Sequence, residues 1–244
     1  MYAKDAIQYL VGHFKNTNVG GVSGELCYTV PRESRIGDEE NIYWNLDKFI
    51  KKQENRLAGI PGANGSIYAV RKSLYIPLNK DIISDFIEPL LIQYNKHKVI
   101  FEPRAKSFEE SSYSFKQEFQ RKKRIITRSL YSLSQHQYLL NPRKNGGMAL
   151  QIWSHKILRW FNPVFLILLF LSNLFLLHTL VFMIFFIIQL IFYILAGLGY
   201  IFHAKTPPKV MQIALYFCTI NIASLLALLD HCRGKQTTVW EPIR

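Results

Sequence analysis

From Phe161 to Phe202 the sequence contains no Asp, Glu, Lys or Arg. That run is roughly twice the ~20 apolar residues needed to span a hydrocarbon core as a helix, so it is expected to fold back as two crossings. Asn173 and the pair His178-Thr179 are its polar breaks, which places helices over 163–177 and 180–202. A third uncharged run, 210–229, follows the linker 204–209, whose prolines stop a helix and whose lysines favour the cytoplasmic side. These segments are apolar all round, whereas helices of a soluble core alternate faces. The sequence therefore predicts an integral, multi-pass membrane protein with about three transmembrane helices within 162–232. Asn173, His178, Gln189 and Asn221 could line the path of a transporter, but they are few and uncharged and read better as helix-packing contacts.

The rest of the chain faced a different solvent. Of the 30 Lys+Arg, 25 precede Phe161, as do 15 of the 17 acidic residues, so a basic, water-soluble part precedes the membrane region. The net charge of +13 raises nucleic acid as a partner. The basic residues are spread out, however, with no groove-reading motif, and the reading is no nucleic acid. Cys27, Cys218 and Cys232 form neither a disulfide framework nor a zinc knuckle, which suits a reducing compartment. Met1 to Asp5 has neither a basic n-region nor an apolar core, so no signal peptide is expected and insertion relies on the later helices.

Within the soluble part, Ala3, Ile7, Leu10, Val11 and Phe14 follow helical spacing, and Val22 to Val30 alternates as a strand. Ile42, Tyr43, Leu46, Phe49 and Ile50 mark a second helix. Pro61 to Gly65 makes a tight loop before a strand over Ser66 to Val70. A helix is expected over Ser84 to Tyr94, a strand over Lys98 to Pro103 stopped by its proline, and a long basic helix over Tyr113 to Tyr138. Helices and strands alternate, which gives an α/β class. Gln151 to Phe161 mixes Trp, Ile and Leu with Lys and Arg, the composition of an interfacial helix in the headgroup layer. The divisions are 1–140 soluble, 141–161 interfacial, 162–232 transmembrane and 233–244 a C-terminal tail.

Several segments, in order, carry a resemblance. They are Asn18 to Gly24, Gly62 to Arg71, Ile83 to Phe86, Val99 to Ala105, Glu118 to Ile125, Gly234 to Gln236 and Trp240 to Pro242. Together they resemble the membrane-bound family 2 glycosyltransferases, inverting enzymes that build polysaccharides and glycolipids from nucleotide sugars. The resemblance implies a partial GT-A-like domain, its acceptor-side half, with a nucleotide sugar as donor and a glycan or lipid-linked acceptor. It implies that Asp85 is the base that takes the acceptor hydroxyl's proton. A helix N-terminus favours an ionised carboxylate; the alternative is that Asp85 caps its helix. Ser84 stands where the family commonly has an acidic residue.

By the same resemblance Gly62, Ala63, Asn64 and Gly65 border the acceptor; on composition they are equally an ordinary turn. Arg121 and Arg124, three apart, would share a helix face. The family's donor-site motif implies that they meet the donor diphosphate and stabilise the departing nucleoside diphosphate. Ile125 stands where cellulose and hyaluronan synthases have Trp, which speaks against a processive polymerase of that kind. For Lys116, Arg121, Lys122, Lys123, Arg124 and Arg128 the alternative is a basic face on anionic membrane lipid, and for the lysines that reading is preferred. Trp240 is a possible active-site tail.

The family's strand-rich donor half, with the Asp-x-Asp motif that binds Mg or Mn, is not recognisable in this sequence. No metal ligands are identified, and Asp38-Glu39-Glu40 reads as a solvated helix start. The chain alone is expected to be inactive without a donor half, which a partner chain could supply. A non-catalytic membrane scaffold derived from the same fold is the competing reading. With the soluble part in the cytoplasm, three full crossings would put Trp240 on the far side, so either one helix does not cross or the tail leaves the site.

Overall fold

The computed structural model describes residues 1–29, 48–56, 59–110, 115–202 and 207–235. Helix α1 (Ala6–Gly12) runs through a 3-10 turn (His13–Lys15) into strand β1 (Val19–Thr29). Residues 48–56 form helix α2. Then come β2 (Tyr68–Val70), α3 (Ser84–Tyr94), β3 (Lys98–Glu110) and α4 (Phe115–Ser134). Helix α5 (Pro142–Ile152) passes through a π-helical turn (Trp153–Ile157) into α6 (Leu158–Phe175). Two further apolar helices follow, α7 (Leu180–Ile201) and α8 (Lys209–Cys232). Residues 30–47 and the tail with Trp240 lie outside the described residues.

The sheet is small and mixed, in the order β2-β1-β3, with β1 antiparallel to β2 and parallel to β3. The expected stop at Pro103 does not occur. The register jumps there, from Gly24 opposite Glu102 to Glu25 opposite Lys106, so Pro103 falls in a bulge where its missing N–H costs no ladder bond. Glu102 anchors the bulge. Its carboxylate accepts from the Arg104 backbone N–H (3.0 Å) and side chain (2.8 Å), and pairs with His13 at 2.6 Å. Those contacts, with Arg104 first, hold its acidity at about pKa 2 against the opposing effect of burial.

The core lies where the soluble helices meet the apolar ones. Phe86, Ile87 and Leu90 of α3, Ile126 and Leu133 of α4, Ile152, Ile157, Trp160 and Ala227 of α8 form one buried cluster. Burying a large apolar side chain of this kind contributes about 1.5–3 kcal/mol. The segment expected to lie among lipid headgroups is therefore divided: Ile152, Ile157 and Trp160 enter the core, while Trp153, Leu158 and Phe161 stay exposed. Ile157 and Trp160 point inward, and Trp160 packs edge-on against Phe86 at 6.0 Å.

Three helices are long and apolar enough to cross a membrane: the run 142–175, α7 and α8. The α6–α7 hairpin is joined by Phe170 against Phe186 (5.1 Å) and by Gln189 donating to the Leu166 carbonyl (3.2 Å). Helix α8 crosses the half of this hairpin nearer the soluble part. It meets α7 at Gly199, where an added Cβ would lie 2.7 Å from the Met211 carbonyl oxygen, and at Phe192, 5.5 Å from Phe217. It meets α6 at Asn162, which donates to Asn221 at 2.8 Å. Its last turns then lie along α4, where Asp230 pairs with Lys123 at 2.6 Å.

Candidate active site

At the carboxyl ends of the parallel strands, where open sheets commonly place ligands, Tyr28 sits opposite Glu109 and both line a cavity of ≈ 290 Å³. The loop 63–66, Asp85, the inward face of α4, the π-turn with the start of α6, and Ile220 and Ser224 of α8 complete its walls. Its charge is lopsided. Lys51, Arg121, Lys122, Lys156 and Arg159 line it with two carboxylates, Asp85 and Glu109, and the buried Glu118 pairs with Arg121 and Lys122 from behind the wall, which still leaves cations in excess.

Asp85 is in the first turn of α3, and the N-cap position belongs to Ile83, whose side chain makes no cap. The helix start is instead fixed from outside, by the Ile83 N–H donating to the buried Ser132 hydroxyl at 3.0 Å. The Asp85 carbonyl accepts from the Ala63 N–H at 2.8 Å, which ties the loop to the helix. Burial raises the pKa of the Asp85 carboxyl above its ordinary 3.8, and Lys156, its own backbone N–H, Lys51 and Arg128 oppose that rise in decreasing order. A carboxylate whose pKa is moved towards neutrality is a stronger base at working pH.

The four loop residues play different parts. A Cβ on Gly65 would lie 2.6 Å from Asp85 Oδ2, so the carboxylate occupies the space a side chain would need. Gly62 has no such constraint; a Cβ there would meet Phe86 at an ordinary 3.8 Å. Asn64 is the anchor. Its side-chain amide donates to the Gly24 carbonyl (2.6 Å), its N–H donates to the Ser23 hydroxyl (2.9 Å), and its Oδ1 accepts from Lys51 (3.0 Å).

Of the two arginines, only one lines the cavity. Arg121 lines the cavity and is held by protein groups: Nε donates to Glu118 at 2.8 Å and Nη1 to the Tyr28 hydroxyl at 2.7 Å. Glu118 is fully buried. Arg124 does not line the cavity. Burial, followed by the like charges of Arg128 and Arg121, lowers its guanidinium pKa. Three apart on one continuous helix, the two arginines remain neighbours, since the charge of Arg121 acts on Arg124, but only Arg121 reaches the cavity.

Sequence reasoning missed Lys51, Lys156 and Arg159. Lys156 comes from the π-turn, with its ammonium 5.6 Å from the centre of the Phe86 ring, and Arg159 from the turn after it. The extra residue of a π-turn rotates the residues beyond it about the helix axis, a device frequent at functional sites. The available signal was the alternation of cations with Ile157 and Trp160, which a lipid-facing helix and a site-lining helix share. Glu88, one turn after Asp85, was also overlooked. It is buried, accepts from the Tyr68 hydroxyl at 3.1 Å, and has its pKa raised by burial.

A divalent cation does not fit these residues. Two carboxylates face five cationic side chains, and among the described residues no group of three or more His, Cys, Asp or Glu side chains could hold a metal. No family model matches the sequence, and no curated protein matches it.

Proposed function

We propose that this chain is the acceptor-side and membrane portion of an inverting family 2 glycosyltransferase, with its soluble part in the cytoplasm. One observation carries the reading: Asp85, a half-buried carboxylate of raised pKa, shares a cationic cavity with Arg121 at the carboxyl ends of a parallel strand pair. The acceptor hydroxyl gives its proton to the Asp85 carboxylate, and its oxygen forms a bond to the anomeric carbon of the donor sugar. The bond from that carbon to the diphosphate oxygen breaks, its electron pair leaves with the nucleoside diphosphate, and the configuration inverts. Arg121 balances the charge that develops on the leaving group. The nucleoside and its Mg or Mn ion belong to a donor half outside these 244 residues, on the same polypeptide or on a partner.

The test is to supply such a donor half with nucleotide sugars and compare Asp85→Asn with the parent. Turnover should fall by about two orders of magnitude or more, the usual worth of a general base; unchanged turnover removes Asp85 from the mechanism.

In this reading α6 and α7 cross the bilayer and α8 lies across their base. Its pairing to α4 through Asp230 and Lys123 returns the chain to the side it started from. Exposed Cys232 and half-buried Cys27 should then react with an impermeant thiol reagent from the same face of a sealed vesicle. Labelling from opposite faces would restore a third crossing.

The second reading is a non-catalytic scaffold. The engagement of Arg121 by Glu118 and Tyr28 favours it, because a guanidinium fixed by protein groups also serves as a structural link. Full transfer activity in Arg121→Lys, which keeps the charge but loses the fork geometry, would leave only that structural role to the residue.

A further inference from the structure

Helix α8 does not seal against the hairpin where it crosses it. Between α6, α7, α8 and the first turn of α4 lies a second cavity of ≈ 800 Å³, within the ~300–1,000 Å³ range of sites that hold a small ligand. The space is open at the atomic level. A Cβ added to Gly197, which lines it, would meet nothing within 4 Å, whereas two residues on, at Gly199, it would strike the α8 backbone. The walls are almost wholly carbon, with Pro163, Leu166, Ala196 and Leu225 among them. An apolar space of this kind does not hold water.

This cavity and the one at Asp85 are walled by adjoining residues of the same three helices. On α4 the first takes Phe119 and the second Arg121 and Lys122; on α6, Pro163 and then Arg159 and Trp160; on α8, Asn221 and then Ile220 and Ser224. The change in chemistry along that line is abrupt. Hydrocarbon gives way to five cationic side chains, and Lys116 adds another at the apolar end. A molecule lying along both has a long apolar chain, then an anionic group, then whatever faces Asp85.

We infer that the apolar cavity holds the hydrocarbon chain of a phosphate-bearing lipid, and that this lipid carries the acceptor whose hydroxyl faces Asp85. The lipid site stands on the two cavities alone; the acceptor role rests on the glycosyl-transfer reading. A phosphate suits the junction because Lys156 and Arg159 line it from the π-turn and α6, beside Lys122 of α4, which is paired with the buried Glu118 at 3.6 Å, and cations outnumber the carboxylates Asp85 and Glu109 among the lining residues. Glu109 lies at the end of β3, and Asp85 lies in the first turn of α3 beside Gly65, where the acceptor's neutral hydroxyls would be.

The probes are a long-chain alkyl phosphate bearing a photoreactive diazirine near its tail, and the corresponding alcohol. Each is incorporated into phosphatidylcholine nanodiscs containing the full chain. The phosphate should label peptides of α6, α7 and α8 that wall the cavity, and the alcohol much less. Gly197→Phe, which fills the open space, should lower labelling roughly tenfold, equivalent to ~1.4 kcal/mol of binding. Gly197→Leu should lower it less, and Ile188→Phe, on the lipid-facing surface of α7, should leave it unchanged. Equal labelling by phosphate and alcohol, or labelling indifferent to position 197 in variants that fold, would show bulk lipid contact only and overturn the site.

Transfer separates the two proposals once a donor half is supplied. If Asp85→Asn abolishes transfer to a water-soluble glycan while Gly197→Phe leaves it intact, the enzyme reading stands and the lipid acceptor fails. If position 197 controls labelling but no transfer depends on Asp85, the lipid site stands and the enzyme reading fails.

Discussion

Helices α7 and α8 look alike as sequence and are used differently. Only 6% of the most apolar stretch of α7 is buried by the rest of the protein, against 39% for α8. Helix α7 offers its surface to lipid and touches the molecule mainly through its last turns. Helix α8 presents small residues, Ala223, Ser224 and Ala227, to the basic helix α4 and ends in an ion pair with it. The difference shows that an apolar helix after a membrane linker can be a clasp that fastens the hairpin to the soluble part.

The comparison is broken most strongly at the shared core. Trp160→Ala, which empties the contact with Phe86, should cost about 3–5 kcal/mol, measured by denaturant unfolding in detergent. Ala227→Leu, overfilling a fully buried position of α8, should cost about 1–3 kcal/mol, and α4 should become more open to proteolysis while the hairpin stays intact. Asp230→Asn removes the terminal ion pair, which is partly exposed at both ends, and should cost at most about 1 kcal/mol, less in high salt. Ile188→Ala on α7 should fall within about 0.5 kcal/mol, since lipid is as good a neighbour as the residue removed.

Acid and base sharpen the same contrast inside the soluble part. The Glu102 pKa is lowered in the fold, so its stabilisation is present above 4.5 and is lost as pH falls towards about 2. The Asp85 pKa is raised, so ionisation works against the fold. Stability declines as pH rises from 3.8 through its raised value, and Asp85→Asn should melt higher than the parent at neutral pH but not below pH 3.8. A thermal melt series against pH checks both signs.

Local chemistry made much of this legible. The start of α3 at Ser84 and the hairpin turn near Leu176 and Thr179 follow from periodicity and polar breaks. What stayed hidden depended on partners distant in sequence. Pro103 reads as a stop until a strand with a matching bulge lies beside it. Trp160 and Ile157 read as headgroup anchors because the same amphipathic residues serve lipid and core alike. Arg121 and Arg124 share a spacing but not a destination, since Tyr28 and Glu118 take one of them.

The helical run that carries Lys156 to the Asp85 cavity continues into the hairpin as α6. No loop interrupts the run between the cavity wall and the apolar hairpin, so Lys156 is joined to that hairpin by continuous helical backbone and not through a flexible connection.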